Sequence, residues 1–333
     1  MTVTIVRAGP LTVLKDQGRP GHAHQGVAES GAVDRSAYAR ANALVGNPPG
    51  AAALECTLGG LRVVFDRPAV VVLTGTDAVL DVQGARSGSE QVVTVPAGAT
   101  VTVTMPRRGL RSYLAVRGGF TVPPVLGSRS TDRLAGIGPP RPVAGDVLPI
   151  GKAPADPVPA PGVPGVPGDP APADPAHSAP AHSAPAHSEA THSEATHGEA
   201  THGGEALDDE ALEVDLGPRD DWFTAAAVAT LFAAEFTVTP ASDAVGLRLD
   251  GPALARARTD ELPSEGVVRG SVQVPPDGKP IIFQADHPVT GGYPVIAVLT
   301  PPAADRAAQL RPSATVRFRP AARDTDRPAP GAR

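Results

Sequence analysis

The sequence has few of the residues that would connect it to a disulfide framework or an aromatic-rich core. Its 333 residues include one cysteine, Cys56, which excludes a disulfide within the chain. We interpret Cys56 as a buried, unreactive thiol, because it lies in the apolar run 51–58 without a cationic neighbour to lower its pKa. Aromatic residues make up only 3% of the chain, so Val, Leu and Ala must supply most of the core. The hydrophobic content of 41% is sufficient for a packed globular protein.

Signals for a membrane, secretion or nucleic acid are also missing. No apolar run reaches the roughly 18 residues that a membrane-spanning helix needs. The chain starts with the strand-like residues 2–6, TVTIV, which predict no secretory leader. Its 29 basic and 35 acidic residues give a net charge of -6, which provides no basic surface for nucleic acid or anionic lipid. We therefore expect a cytoplasmic protein that binds neither nucleic acid nor membranes.

Common nucleotide and biotin motifs are absent. There is no GxxxxGK[ST] loop, and no GxGxxG lies between a predicted strand and a predicted helix. The three lysines, Lys15, Lys152 and Lys279, do not lie in a biotinyl-lysine string. Any ATP must therefore bind at a less familiar site or at an interface with a partner.

Residues 152–213 have the composition of a linker, rich in Pro, Ala, Gly, Ser, His and acidic residues. A five-residue repeat within this range spaces six histidines evenly: His177, His182, His187, His192, His197 and His202. We expect disorder here, because the segment cannot bury enough apolar surface to offset its ordering entropy. A period of five matches neither helix nor strand, so the histidines share no regular face. We predict an inert spacer and no metal site, with metal binding by the repeat as the alternative.

The remaining sequence predicts a mainly β protein with a few helices. Short runs rich in Val, Thr and Leu predict strands at 2–6, 61–65, 69–74, 91–95, 99–105, 112–117, 234–238, 245–249, 266–274, 280–285 and 294–299. Helices are predicted at 34–45, capped by Asp34, and at 219–232, with Asp220 or Asp221 near the start. We expect two β-rich parts, 1–151 and 214–320, to pack together, followed by a disordered tail at 321–333.

Long sequence strings identify a family resemblance. They are KDQGRPG at 15–21, SGAVD at 30–34, ANALVGNP at 41–48, LECTLGG at 54–60, LTGTD at 73–77, YLAVRGG at 113–119, PPVLGSRST at 123–131, SDAVG at 242–246, GSVQVPPDG at 270–278 and TGGYP at 290–294. In this order they resemble the KipA family, which contains the C subunit of bacterial ATP-dependent 5-oxoprolinase and is related to the urea carboxylase carboxyltransferase domain. The resemblance covers nearly everything except the linker and the tail.

The resemblance implies cyclophilin-like β-barrel lobes and a component of an enzyme that hydrolyses ATP and a cyclic amide. The implied reaction opens the 5-oxoproline ring to give glutamate, with a KipI-like protein and a LamB/YcsF-like protein as the partner subunits. ATP would then bind at an interface with the partner. Two alternatives remain: a non-catalytic KipA-type protein that sequesters a KipI-like kinase inhibitor, and a biotin-dependent carboxyltransferase subunit.

The candidate catalytic residues are Gln273, Asp277 and Asp286. Because alternate strand residues face the same side, Gln273 and the following turn are expected to present polar groups to one pocket for a lactam or carboxybiotin. A hairpin turn at Asp277 and Gly278 is the alternative. The candidate substrate-binding residues are Asp16, Arg19, Ser128, Arg129, Thr290, Gly291 and Tyr293. Asp16 and Arg19 either clamp the substrate or pair with each other.

Two positions depart from the family pattern. Ala244 and Val295 stand where related sequences usually carry a basic residue. The loss of two cations near an anionic site weakens the catalytic interpretation, whereas the fold interpretation does not depend on them.

Overall fold

A computed structural model describes residues 1–158 and 211–322, which fall within one compact unit. The fold of these residues is mainly β, as predicted, with three α-helices. None of the helices in this part of the chain is long and apolar enough to cross a membrane. The repeat histidines, most of the predicted linker and the tail from residue 323 lie outside the described residues.

The N-terminal lobe consists of two facing sheets. Its strands are β1 (Thr2–Ala8), β2 (Leu11–Lys15), β3 (Ala53–Thr57), β4 (Leu61–Phe65), β5 (Ala69–Thr74), β6 (Leu80–Val82), β7 (Ala85–Ser87), β8 (Val93–Val95), β9 (Thr100–Val103), β10 (Arg111–Val116) and β11 (Val147–Pro149). One sheet has the order β11-β1-β4-β9-β6-β7 and the other β2-β3-β10-β5-β8. All of the pairings within them are antiparallel, so each strand alternates between its two faces.

Strand β10 shows how the N-terminal lobe is layered, because all six of its residues are buried. Leu114 and Val116 face the core shared by the two sheets. Tyr113 and Ala115 point the other way and pack under helix α1 (Arg35–Leu44). The helix therefore covers the outer face of a sheet whose inner face is already buried.

Helix α1 confirms the prediction at 34–45. The Asp34 side chain accepts a hydrogen bond from Ala37 N at 2.9 Å, as expected of an N-cap. The helix ends before Gly46, which adopts a φ of +66° and is followed by Asn47 and Pro48.

The C-terminal lobe is built on an eight-stranded sheet. Its strands are β12 (Leu212–Leu216), β13 (Phe236–Val238), β14 (Gly246–Asp250), β15 (Glu265–Gly266), β16 (Ser271–Gln273), β17 (Ile281–Phe283), β18 (Thr290–Gly291), β19 (Val295–Leu299), β20 (Thr315–Val316) and β21 (Phe318–Pro320). The sheet order is β20-β13-β14-β17-β16-β19-β12-β21, and β15 and β18 form a separate pair. Strand β12 begins at Leu212, inside the range 152–213 that composition assigns to the linker.

The helix predicted at 219–232 is wrong in its first turns. Residues Asp220–Trp222 form a short 3-10 helix, and Phe223 is extended. Helix α2 (Ala225–Ala233) starts only after Thr224, whose hydroxyl accepts from Ala227 N at 3.1 Å. Threonine therefore provides the N-cap, rather than either of the two aspartates.

Two further differences arise from local turn chemistry. The strand predicted at 266–274 is interrupted at Gly270, whose φ of +91° ends an extended run and leaves only β16. Sequence reasoning also missed helix α3 (Pro301–Ala307), where the Thr300 hydroxyl caps Ala303 N at 3.4 Å. Its two prolines lie in the first turn, where a missing N–H costs no helical hydrogen bond.

Helix α3 and the residues after it bind the C-terminal lobe to the N-terminal lobe. Asp305 of α3 accepts hydrogen bonds from Arg35 N at 3.0 Å and Ser36 N at 3.2 Å, at the start of α1. Gln309 Oε1 accepts from the backbone N–H groups of Leu110 and Arg111 at 2.8 and 2.9 Å. The two lobes are therefore joined by specific polar contacts.

Candidate functional site

A buried ion pair connects the two lobes. Lys15 Nζ, at the end of β2, lies 2.8 Å from Asp286 Oδ1, and the two side chains are 1% and 0% exposed. Ser30 Oγ donates to the same carboxylate oxygen at 2.5 Å and lies 3.4 Å from Lys15 Nζ. Ser30 has a φ of +56°, an uncommon conformation for a residue with a side chain. The C-terminal carboxylate is thus held by two N-terminal groups.

Asp16 organises the loop that contains Ser128 to Ser130. Its Oδ1 accepts from Ser128 Oγ at 2.6 Å and Ser130 Oγ at 2.8 Å, and its Oδ2 accepts from Arg129 N at 2.5 Å. Gly18 N also donates to Oδ1 at 2.8 Å. The carboxylate is buried, so its partners have replaced water around the charge. Three of the predicted substrate-binding residues are therefore brought together, and they bind one another.

Arg19 lies in the same region and is also buried. Its Nη2 donates to the Ser130 backbone oxygen, and its Nη1 lies 4.0 Å from Asp132 Oδ2. The side chains of Arg19 and Asp132 are both 0% exposed. Of the two sequence-based interpretations, pairing between Arg19 and Asp16 is not what the structure shows, because the carboxylate beside Arg19 belongs to Asp132.

A cleft of about 360 Å³ opens next to these groups. Both lobes line it: the N-terminal lobe supplies residues 23–28 and 132–135, and the C-terminal lobe supplies Pro288, Val289 and Thr290. Its walls are mainly apolar, apart from Asp132 and Thr290. The volume falls in the lower part of the range for small-molecule sites.

Three other nominated residues form a separate group in the C-terminal lobe. Gln273 Nε2 donates to the Tyr293 backbone oxygen at 2.8 Å. A Cβ on Gly291 would lie 2.5 Å from that same Nε2, so the side chain of Gln273 packs directly on the glycine. The Tyr293 ring is 43% exposed, and the Arg256 guanidinium carbon lies 5.8 Å from its centroid. Thr290, which lines the cleft, precedes this group in the chain.

Asp277 stands apart from the other candidates. It is exposed, and its Oδ1 accepts from Lys279 N at 3.0 Å. Gly278 follows with a φ of +78°. The pair therefore forms the turn between β16 and β17 that Asp-Gly sequences favour.

The two departures from the family pattern lie in apolar surroundings. Ala244 is buried in a small cluster with Val33, Ala285 and Ala308. Val295 is buried against Val267 and Phe283. Neither position holds a charge near the lobe junction in this chain.

Titratable groups around the junction are shaped mainly by burial. Burial lowers the pKa of His287, whose Nδ1 lies 2.6 Å from the Pro288 oxygen and whose ring stacks on Phe283. Burial raises the pKa of the Cys56 thiol to about 12, which confirms the prediction of an unreactive cysteine. Within residues 1–158 and 211–322, no group of three or more His, Cys, Asp or Glu is arranged to hold a metal ion.

Sequence reasoning missed four residues of this junction: Lys15, Ser30, Ser130 and Asp132. The first three lie in the strings that carry the family resemblance, and Asp132 directly follows one of them. A lysine at the end of an apolar strand was the available signal, since β2 is otherwise buried.

Comparisons with known proteins agree with this architecture. The family model described as carboxyltransferase domain, subdomain A and B, matches residues 25–320. The 5-oxoprolinase C subunit of Escherichia coli is 34% identical over 300 residues, which is 89% of this chain and 83% of that protein. The protein of the same name from Haemophilus influenzae is 28% identical and covers 95% of this chain and 90% of its own length.

The similar solved structures are longer proteins. The structure of TTHA0988 matches with a TM-score of 0.73 and 29% identity, covering 96% of this chain and 55% of that protein. The urea amidolyase of Kluyveromyces lactis matches with a TM-score of 0.78 and 25% identity, covering 96% of this chain and 18% of that protein. The chain thus spans about half of the first and less than a fifth of the second.

Proposed function

This chain belongs to the carboxyltransferase domain family, subdomain A and B, and we propose that it is the C subunit of an ATP-dependent 5-oxoprolinase. It is a homologue of two proteins that bear the name of that 5-oxoprolinase component, and it covers more than four fifths of each. The proposed reaction opens the 5-oxoproline ring to give glutamate at the cost of ATP. The proposed partner subunits are a KipI-like protein and a LamB/YcsF-like protein.

The observation that carries the proposal is the cleft between the lobes. Its walls come from both halves of the chain, and the Escherichia coli relative matches 89% of this chain. A small, largely apolar cleft with a few polar groups suits a compact lactam. Since a lactam is unreactive, opening it requires donors near the carbonyl oxygen as charge develops there. Buried charges beside the cleft provide such groups without bulk water.

ATP is assigned to an interface with the partner in this proposal. The sequence contains no Walker-type loop. Binding at an interface between subunits accounts for ATP use in a chain without that loop, and it makes activity depend on assembly.

The test is to co-express the chain with the two candidate partners and measure ATP hydrolysis and glutamate formation. We expect both to depend on 5-oxoproline and on all three proteins. A stable complex without turnover would favour the non-catalytic alternative, in which the chain sequesters a KipI-like kinase inhibitor. Failure to form a complex would count against both.

Biotin-dependent carboxyl transfer is the second candidate. It is supported by 36% identity over 137 residues to the urea amidolyase of Saccharomyces cerevisiae, although the match covers only 41% of this chain and 8% of that protein. The discriminating assay supplies a biotin carboxylase and a biotin carrier with urea. Carboxyl transfer there, without turnover of 5-oxoproline in the three-protein complex, would favour this candidate.

A further inference from the structure

Asp132 forms part of the cleft wall and has one unused oxygen. Its Oδ1 accepts from the backbone N–H groups of Leu134 and Ala135, both at 3.0 Å. Its Oδ2 is shielded from solvent and has no hydrogen-bond partner among the described residues. Most buried carboxylate oxygens are hydrogen-bonded, because an unpaired one costs free energy. This oxygen therefore requires an explanation.

Arg19 presents the complementary deficit beside it. Its Nη2 is used by the Ser130 oxygen, whereas Nε and Nη1 have no hydrogen-bond partner in the described part of the chain. The distance of 4.0 Å from Nη1 to Asp132 Oδ2 is too long for a hydrogen bond. A buried donor and a buried acceptor thus lie side by side next to a cleft, without satisfying each other.

We propose that Arg19 and Asp132 together recognise the cis-amide edge of a small ligand in this cleft. A cis amide presents its carbonyl oxygen and its N–H on the same side, about 2.3 Å apart from standard bond lengths. The carbonyl oxygen accepts from Arg19 Nη1, and the N–H donates to Asp132 Oδ2. Two roughly parallel hydrogen bonds to charged groups then satisfy both orphaned atoms.

The proposed pair also gives the contact a role in the reaction. A guanidinium donor at the carbonyl oxygen favours the negative charge that develops there when the amide is attacked. The carboxylate fixes the ring by its N–H, so that the carbonyl faces the arginine. Recognition of an amide edge follows from the geometry alone, whereas the choice of a lactam among amides rests on the proposed function.

The ligand reaches these atoms by displacing a short surface stretch. Residues 133–136 are exposed, and Leu134 and Ala135 line the cleft next to Asp132. Leu134 is 52% exposed, so it contributes little buried surface that would hold the stretch in place. An outward movement of this stretch opens the carboxylate to the cleft.

Asp132→Asn tests the pair with little disturbance of the fold. The remaining side-chain oxygen keeps the hydrogen bonds from Leu134 N and Ala135 N, so the amide nitrogen takes the place of Oδ2. The substitution therefore replaces the unused acceptor with a donor that faces the ligand N–H. Asp243→Asn is the matched control, because exposed Asp243 Oδ1 likewise accepts from the N–H groups two and three residues on, at 2.8 and 3.3 Å.

The measurement is an NMR titration of the full chain with 2-pyrrolidinone and with N-methyl-2-pyrrolidinone, which lacks the N–H. We expect the unmodified chain to bind 2-pyrrolidinone at least tenfold more tightly, as a hydrogen bond to a charged group predicts. Asp132→Asn should abolish this preference, and Asp243→Asn should retain it. Equal binding of the two lactams by the unmodified chain, or an unchanged preference in Asp132→Asn, would overturn the inference.

The same variants in the three-protein complex separate this inference from the proposed function. We expect Asp132→Asn to raise the KM for 5-oxoproline at least tenfold. Turnover with an unchanged KM would refute the role of Asp132 and leave the proposed function intact. Discrimination between the two lactams by the chain, in the absence of any turnover by the complex, would support the inference and refute the 5-oxoprolinase assignment.

Discussion

Replacing Lys15 with Met should destabilise the protein more than most single substitutions. The variant removes one partner of an ion pair whose nitrogen and oxygen are 2.8 Å apart and whose side chains are 1% and 0% exposed. Ser30 Oγ would remain the only donor to Asp286, whose Oδ2 already has no partner in the described residues. Leaving such a carboxylate buried and unpaired costs about 3–5 kcal/mol. For a domain of this size, that corresponds to a Tm lower by roughly 6–20 °C.

The assay is thermal unfolding of Lys15→Met, Asp286→Asn and the double variant. Removing the charge of Asp286 as well should recover about 1–3 kcal/mol, because contacting residues are energetically coupled. The matched control is Lys279→Met, which removes a lysine at the same 2.8 Å from Asp250, with side chains 39% and 69% exposed. Its Tm should barely change, since exposed pairs contribute little. If the two single effects simply add in the double variant, the junction ion pair is not the reason for the loss.

Three further predictions concern other parts of the molecule. Cys56 should not react with a thiol reagent at pH 8 in the native protein, because burial raises its pKa to about 12, and it should react in denaturant; rapid reaction without denaturant would contradict its burial. Asp305→Ala should lower the free energy of unfolding by about 2 kcal/mol, because two N–H groups at the start of α1 lose their acceptor and Arg269 loses its partner, and urea denaturation against exposed Asp221→Ala measures the difference. Gly138→Ala should weaken 2-pyrrolidinone binding in the NMR titration as well as stability, because its φ is +99° and a Cβ there would lie 2.0 Å from the Ser130 oxygen and 3.1 Å from Arg19 Nη2; a stable variant with unchanged binding would show that this backbone does not position Arg19.

Local chemistry made much of the fold predictable. Asp34 before an apolar helical pattern and Gly46 after it located helix α1 to within one residue at each end. Runs of Val and Leu between turn residues located β4 and β5 at their observed bounds. Positions such as Asp220 were misleading, since Thr224 competes for the same helix start and its side chain makes the cap. Several plausible caps near one helix cannot be ranked without the packing of the helix.

The candidate site was less predictable, because its pairings are not local. Asp16 and Arg19 were nominated correctly as neighbours of Ser128 and Arg129, but the carboxylate facing Arg19 is Asp132, more than 100 residues away in the sequence. Lys15 and Asp286 are 271 residues apart. Their contact depends on how two sheets meet, and no periodicity within either segment records that. The catalytic role of Gln273, Asp277 and Asp286 therefore stays a prediction.

The junction described above also limits how the chain can be divided. Each lobe contributes part of a buried charge pair, and α1 receives hydrogen bonds from Asp305 of the opposite lobe. A polypeptide of residues 1–158 alone would expose Lys15, and one of residues 211–322 alone would expose Asp286, so each half would display an unmatched charge on a largely apolar surface. If the halves were made as separate chains, they would behave as obligate partners that select each other from a mixture, in the manner of fragment complementation.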